Sequence, residues 1–450
     1  MNTRNITRYA LIALLLLITI VLLWWFFILR SNTKNVESTD AARGLGTSGP
    51  QAPASGSTHE NAIASGGSGG SFAPSPNLTN PGVTFTGSPG PGSNRAVNLP
   101  GVGDWTNSTS SAAFGTKFRT PRLWHIDAVP VAGFGFVRSA TTTARVIFVE
   151  RATGYLFSAD AASGSLIRLS NTLVPKVYDA RVAYDGAVIL RTQDSQGQLI
   201  TFSATSTKAS LDATPQPLVG SNLDRGIQEI AAQPGTRNIT FTEELEKGVS
   251  GYTSLWDGTK KKQVFSSAVG EWRLQYLSDG RIFIVQKAED AVPGFAYIVE
   301  TDGHFTPVVR SIPGLTIAPQ PGSAAIIYGS SDGLVLSLFS RMRTDATSTP
   351  LPVHTTADKC VWGKNSIAYC AAPTSLPGKN YLRNWYLGNV HSEDGWWRID
   401  ASTGNGEQFF SAPAGAAGAD VEDPVIDPTG NFIVFRDARD QSLWLFRITP

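Results

Sequence analysis

The chain has 450 residues; 16% are charged, the formal net charge is +1, and Gly (44) and Pro (27) are abundant. So even a balance lacks the basic patch or stripe that nucleic acid requires, and no nucleic-acid partner is expected. Low charge with many Thr, Ser, Asn and Gly suits turn-rich β structure better than helix.

Residues 1–8 form a short tail carrying Arg4 and Arg8. Tyr9–Leu29, YALIALLLLITIVLLWWFFIL, is apolar apart from Thr19. At a helical rise of about 1.5 Å per residue this run spans roughly 31 Å, the thickness of a hydrocarbon core. Trp24, Trp25, Phe26 and Phe27 crowd its far end, as aromatic rings do at a membrane–water interface. A cleaved signal peptide is the rival reading, but its apolar region runs about 7–15 residues before an A-x-A-like site. This run is longer and no good site follows, so a retained single-pass transmembrane helix is expected. Arg30 and Lys34 follow the span, so the positive-inside count does not orient it. The short basic tail favours a cytoplasmic N-terminus with the remainder extracytoplasmic.

Residues 30–116 are mostly Gly, Ser, Pro, Ala, Thr and Asn, as in SGGSGGSFAPSP and FTGSPGPGSN. No apolar period persists, so the stretch is expected to be a disordered linker, with ends roughly 50 Å apart as a flexible coil. Gly44–Gly49, GLGTSG, matches a dinucleotide fingerprint, and Gly66–Gly70, GGSGG, a nucleophile elbow. Both motifs need a preceding strand and a following helix, which are lacking here.

Residues 117–450 have a different texture, of short β-rich runs between turns. Hairpin-like segments begin at Arg145, Ala187, Asn238, Arg281, Ser323, Ser366 and Asn431, with steps of 42, 51, 43, 42, 43 and 65 residues. A short strand and turn precede most of them, and a further short strand such as LIRLS, KQVFS or EQFFS follows. Four strands in about 43 residues is the period of a propeller blade. One such sheet has two apolar faces, which only radial stacking hides. The expected fold is an all-β, seven-bladed propeller. The chain stops after the third strand of the last blade, Ser442–Ile448. Thr120–Ile126, TPRLWHI, resembles the other fourth strands and is expected to close the ring beside it. Otherwise LWLFRI would remain as an unpaired apolar edge.

The units VIDPTGNFIVFR, YLSDGRIFIVQ, APQPGSAAIIYG and AYDGAVILR resemble the repeat of WD40-like propellers of the TolB type. That resemblance implies an extracytoplasmic protein-interaction scaffold and carries no catalytic residues over. The chain departs from it in having a membrane span and tether where an N-terminal α/β domain would stand.

Chemistry-bearing residues are sparse. Cys360 and Cys370 flank a turn at Lys364–Asn365. Directly opposed on antiparallel strands, they are within disulfide range; two buried free thiols are the alternative. His59, His125, His304, His354 and His391 are scattered, with no metal-ligand spacing, so neither a metal nor a cofactor is expected. GSSDG at Gly329–Gly333 mimics a nucleophile motif but reads as a strand–strand turn. Glu243, Glu244, Glu289 and Asp290 occupy equivalent connections of neighbouring blades. As solvated hairpin tips they are bland; as a close carboxylate pair they would suit an envelope glycan hydrolase.

The longest irregular stretch, APTSLPGKNYLRNWYLGNVHSEDGWW, extends a connection of blade 6 by about twenty residues, a length often associated with function. Aromatics with Arg are what interface hot spots use. Lys379, Tyr381, Arg383, Trp385, Tyr386, His391 and Trp396 are therefore the expected binding residues, for a protein or cell-envelope component. The competing reading is a loop folded over its own blade as a local core. The expected function is a non-enzymatic, membrane-anchored scaffold, with the glycan hydrolase or a structural spacer as alternatives.

Overall fold

Five of the turns between first and second strands end in Gly186, Gly235, Gly280, Gly322 and Gly430, all with φ between 73° and 86°. That left-handed conformation is open to glycine at little cost. Asp185, Asp279 and Asp427 accept hydrogen bonds from the backbone just beyond their own turns, which fixes the reversal. Each turn then feeds a β-rich run that pairs antiparallel with the strand before it.

The structure is a computed structural model describing residues 122–138, 144–206, 214–344, 346–412 and 418–449; the proposed span Tyr9–Leu29 and linker 30–116 lie outside these. The described strands form seven four-stranded sheets. Blades 1 to 6 run in chain order, with inner strands Val131–Val137, Asp179–Val182, Ile227–Ala232, Trp272–Tyr276, Thr316–Pro319 and Cys360–Trp362. Blade 7 contains Val421–Ile426, Phe432–Asp437 and Leu443–Arg447, and its outer strand is Leu123–Asp127. The chain is therefore an all-β, seven-bladed propeller whose ring is closed by its first described strand. Of the segment expected to do this, Thr120 and Pro121 lie outside the described residues.

Closure is held by register and packing together. Leu123 pairs with Phe446, Trp124 with Leu445 and His125 with Trp444. One face of this seam buries Trp124, Ile126, Leu443 and Leu445 against Val131, Val146 and Phe148 of blade 1. The other buries Leu123, Trp444 and Phe446 against Trp396 of blade 6. Arg122 completes it, donating to the carbonyls of Phe409 (3.1 Å) and Ile448 (2.8 Å). Its guanidinium also lies over the rings of Phe409, Phe410 and Phe446, 5.2–5.7 Å from their centroids.

Similar apolar layers fill the other five blade interfaces. Blades 1 and 2 approach so closely that a Cβ on Gly133 would collide with the carbonyl oxygen of Ala180. In blade 6, Cys360 and Cys370 are in direct register and joined by a disulfide, with Cα atoms 4.1 Å apart. The equivalent turn there has Asn365 at φ 58° instead of glycine.

Candidate functional site: a capped central channel

The seven inner strands surround a channel of about 330 Å³ lined by residues of every blade, including Asp179, Arg181, Arg273, Asp358, Asp423 and Arg436. Charges on a strand edge facing a narrow channel are partly withdrawn from water, so each needs a partner. Arg273 forms a bidentate pair with Asp358, at 2.8 and 2.9 Å. Arg191 bridges Asp179 (3.1 Å) and the carbonyls of Ile227 and Gln228 (2.9 and 2.8 Å), tying blade 2 to blade 3. Arg436 binds Asp423. Arg181 and Arg191 hold the Asp179 carboxyl below its usual range against the opposing effect of burial.

One mouth of the channel is covered by the long connection of blade 6. It contains a short helix, Tyr381–Tyr386, which begins at Asn380 in the left-handed region. Tyr386 is half-buried; its hydroxyl donates to Asp358 and lies 3.2 Å from Arg273. Burial and the Asp358 carboxylate push this phenol well above its ordinary value, so it remains a donor. The Arg383 amide donates to Asp290 of blade 4 (2.8 Å), and the Asn380 amide to the Gly333 carbonyl of blade 5 (2.8 Å). The connection thus reaches across three blades, instead of folding only onto its own.

Beneath the helix lies a buried polar network between blades 6 and 7. Lys359 has no exposed surface. Its ammonium donates to Asp394 (2.7 Å), Asp420 (2.6 Å) and Ser392 (2.8 Å). Burial works against that charge, but Asp394, Tyr381 and Asp420 outweigh it and the ammonium binds its proton more tightly. The Trp385 indole donates to Asp420 (2.9 Å) and the Tyr381 hydroxyl to Ser392 (2.9 Å). His391 Nδ1 is 3.1 Å from Asp420.

The binding residues expected from sequence therefore divide. Tyr381, Trp385 and Trp396 are buried, Trp396 stacked on Phe446 with centroids 5.1 Å apart. Tyr386 is half-buried at the channel, and Lys379, Arg383 and His391 are exposed. The expected contact surface narrows to those last three, because the aromatics satisfy the propeller itself. Each of the four acidic candidates has a partner within the propeller: Glu243 has Lys261 (2.7 Å), Glu244 has Gln228 (3.1 Å), Glu289 has Arg383 (3.5 Å), and Asp290 has Ser331 and the Arg383 amide. Sequence reasoning missed Lys359, Asp394, Asp420, Arg273 and Asp358. No periodic signal marks them, since their partners lie up to 113 residues away.

The connections around the helix are interlocked and carry apolar side chains into solvent. The Ala291 amide donates to the Ser331 carbonyl (2.9 Å), linking blades 4 and 5. Val292 is 52% exposed, Leu334 67%, Val335 52% and Leu376 80%. All four sit on connections between second and third strands, hence on one face. The chain enters the propeller at the opposite face: Leu123 pairs with Phe446, while Asp127 pairs with Leu443 beside the hairpin turn.

No protein-family model and no curated protein matches the chain, so the resemblance to the TolB-type repeat has no family match behind it. Among solved structures, it is similar to an oligogalacturonate lyase from Vibrio parahaemolyticus at 8% identity and TM-score 0.42, covering 71% of this chain and 98% of that one. It is similar to virginiamycin B lyase from Staphylococcus aureus at 13% identity and TM-score 0.43, covering 72% and 99%. A puromycin-hydrolysing peptidase from Mycobacterium tuberculosis matches at 13% identity and TM-score 0.40, over 68% of this chain and 52% of that one. Similarities this distant carry no argument about activity, and the fold rests on the strand register described above.

Proposed function

We propose that this propeller is a non-enzymatic binding scaffold, held at a membrane by the Tyr9–Leu29 span, and that it meets a partner protein through the loop face of blades 4 to 6. One observation carries the reading: Val292, Leu334, Val335 and Leu376 stand exposed on connections locked to one another by backbone hydrogen bonds. A lone exposed aliphatic is ordinary, but a group of them on a rigid surface is the mark of an interaction site. Lys379 and Arg383, exposed on the same connection, supply the polar rim that interfaces use.

Site-specific photo-crosslinking of the full-length chain in its own membranes tests the reading. A probe at Leu334 or Leu376 is expected to give one discrete protein adduct that a probe at Val219, on the outer strand of blade 2, does not give. Leu334→Asp is expected to abolish the adduct formed from position 376. Equal labelling from all three positions, or none, removes the scaffold reading. An adduct with a second copy of the chain replaces it with self-association. Cleavage of envelope glycan by the purified protein would replace it with the hydrolase alternative.

A further inference from the structure

The side chains of Lys359, Asp394 and Asp420 have no exposed surface, and there one ammonium faces two carboxyl groups. With all three ionised the cluster holds an excess negative charge away from water, which is costly. Carboxyls that share a site are driven apart, and their surroundings decide which one stays ionised. Asp420 accepts from the Trp385 indole at 2.9 and 3.1 Å and has His391 Nδ1 at 3.1 Å. Against burial, Lys359, Trp385 and His391 hold its carboxyl below the usual range. Burial pushes the Asp394 carboxyl up, opposed by Lys359. Asp420 is therefore the carboxylate, and Asp394 the carboxyl that takes a proton first.

The contacts around Lys359 set two different groups against one nitrogen. Asp394 Oδ2 lies 2.7 Å from it, and a carbon–oxygen bond of about 1.2 Å puts the carboxyl carbon within about 4 Å. That is close to the roughly 3–3.5 Å of reacting atoms held for attack. The same Oδ2 accepts from the Val421 amide (2.9 Å), and Oδ1 accepts from Ser392 (2.8 Å). Such donors favour negative charge developing on the carboxyl oxygens. Asp420 Oδ1 is 2.6 Å from the nitrogen, placed to take its proton. The Trp385 ring, 4.9 Å from the nitrogen, and the buried Tyr381 close the site beneath the cap helix.

We propose that Lys359 and Asp394 condense to an intramolecular amide, joining the turn before the inner strand of blade 6 to the start of its third strand. Asp420 takes one proton from the ammonium, and the freed amine adds to the protonated Asp394 carboxyl, forming the C–N bond. A second proton passes from the nitrogen to the departing hydroxyl, the C–O bond breaks, and water leaves. Asp420 keeps the first proton. Nothing is oxidised or reduced, and the buried site is left without a charge, the state that burial favours. The carboxylates hold the ammonium tightly, so the amine is freed rarely, but the bond needs to form only once per chain. Expelling water from a closed site opposes the reverse step. The amide is independent of what the loop face contacts.

The test is a tryptic peptide map of the full-length chain, reduced and alkylated so that the Cys360–Cys370 disulfide joins no peptides. An amide on Lys359 blocks cleavage there. Residues 344–364 are therefore expected joined to residues 384–398, at the summed mass less one water. Lys359→Arg keeps the charge but has no amine to condense, and Asp420→Asn leaves no carboxylate to take the proton; both are expected to lose the joined peptide. Far-UV circular dichroism like that of the parent shows that these variants fold, and the parent map decides the proposal without them. Complete cleavage after Lys359, with both peptides linear, overturns it. So does loss of water within a linear 384–398 peptide, which marks cyclisation at Asp394–Gly395, or a bond from Lys359 to Asp420 instead. A joined peptide undiminished in Asp420→Asn overturns the proton transfer assigned to Asp420.

Discussion

The closure seam of blade 7 and the cap over the channel are built by opposite means. The seam is apolar and periodic: Trp124, Ile126, Leu443 and Leu445 face one neighbour while Leu123, Trp444 and Phe446 face the other. The cap is polar and aperiodic, fixed by Tyr386 on Asp358, Trp385 on Asp420, and the Arg383 amide on Asp290. Burial of the seam is non-directional and tolerates small shifts. The cap depends on a few directional contacts whose loss strands buried polar groups. A sheet can thus be closed by pattern alone, whereas a loop is placed only by matching specific distant partners.

The largest expected effect comes from breaking the seam. Phe446→Ala removes a fully buried ring packed against Trp396 and beneath Arg122, and should cost about 3–5 kcal/mol. A chemical denaturation series should show this as a lower midpoint for the whole propeller. Lys359→Met tests the cap at a similar scale, because it leaves Asp394 and Asp420 buried without their cation. Breaking such a pair costs about 3–5 kcal/mol, and replacing Asp394 and Asp420 with Asn in the same chain should recover part of it. If the contrast between the regions holds, hydrogen exchange should quicken in Tyr381–Tyr386 for Lys359→Met and along Leu123–Asp127 for Phe446→Ala.

Acid sharpens the same comparison. His125 lies in the seam with its ring centroid 3.9 Å from that of Trp444, and among the described residues neither ring nitrogen has a partner. Burial lowers its pKa to about 4, against the pull of Asp440 and Asp437. The unfolded chain therefore takes up a proton near pH 6.5 that the folded chain refuses until near pH 4. The stability contributed by the neutral ring is complete above about pH 6.5, falls as the pH drops, and is gone below about pH 4. The loss is on the order of 3 kcal/mol. His125→Phe should flatten this part of the pH–stability curve relative to the parent, and an unchanged slope would contradict it. The smallest expected effect is Tyr386→Phe, which removes one donor from Asp358. It should cost about 1–2 kcal/mol, read as faster exchange confined to the cap helix.

The contrast also explains what could be read from the chain alone. The glycine turns, the apolar alternation and the missing fourth strand are local or periodic features, and they specify seven blades and the partner of Leu443–Arg447. The inner strand of blade 6 lacked the glycine turn, since Asn365 stands where five others use glycine, and was legible only from the spacing of Cys360 and Cys370 about Lys364–Asn365. The cap residues were visible as aromatic and basic side chains, but their sequence does not say which way they face. Burial of Trp385 follows from Asp420, 35 residues on, and the position of Tyr386 follows from Arg273, 113 residues back.

The central claim is that the strand leading out of the N-terminal region completes blade 7. Residue-level hydrogen exchange on the full-length chain addresses it directly. Amides of Leu123–Asp127 that bond to Leu443–Arg447 should be as protected as those of Phe432–Asp437 in the same sheet. Exchange of Leu123–Asp127 at the rate of an unfolded peptide, while the other strands stay protected, would contradict the closed ring.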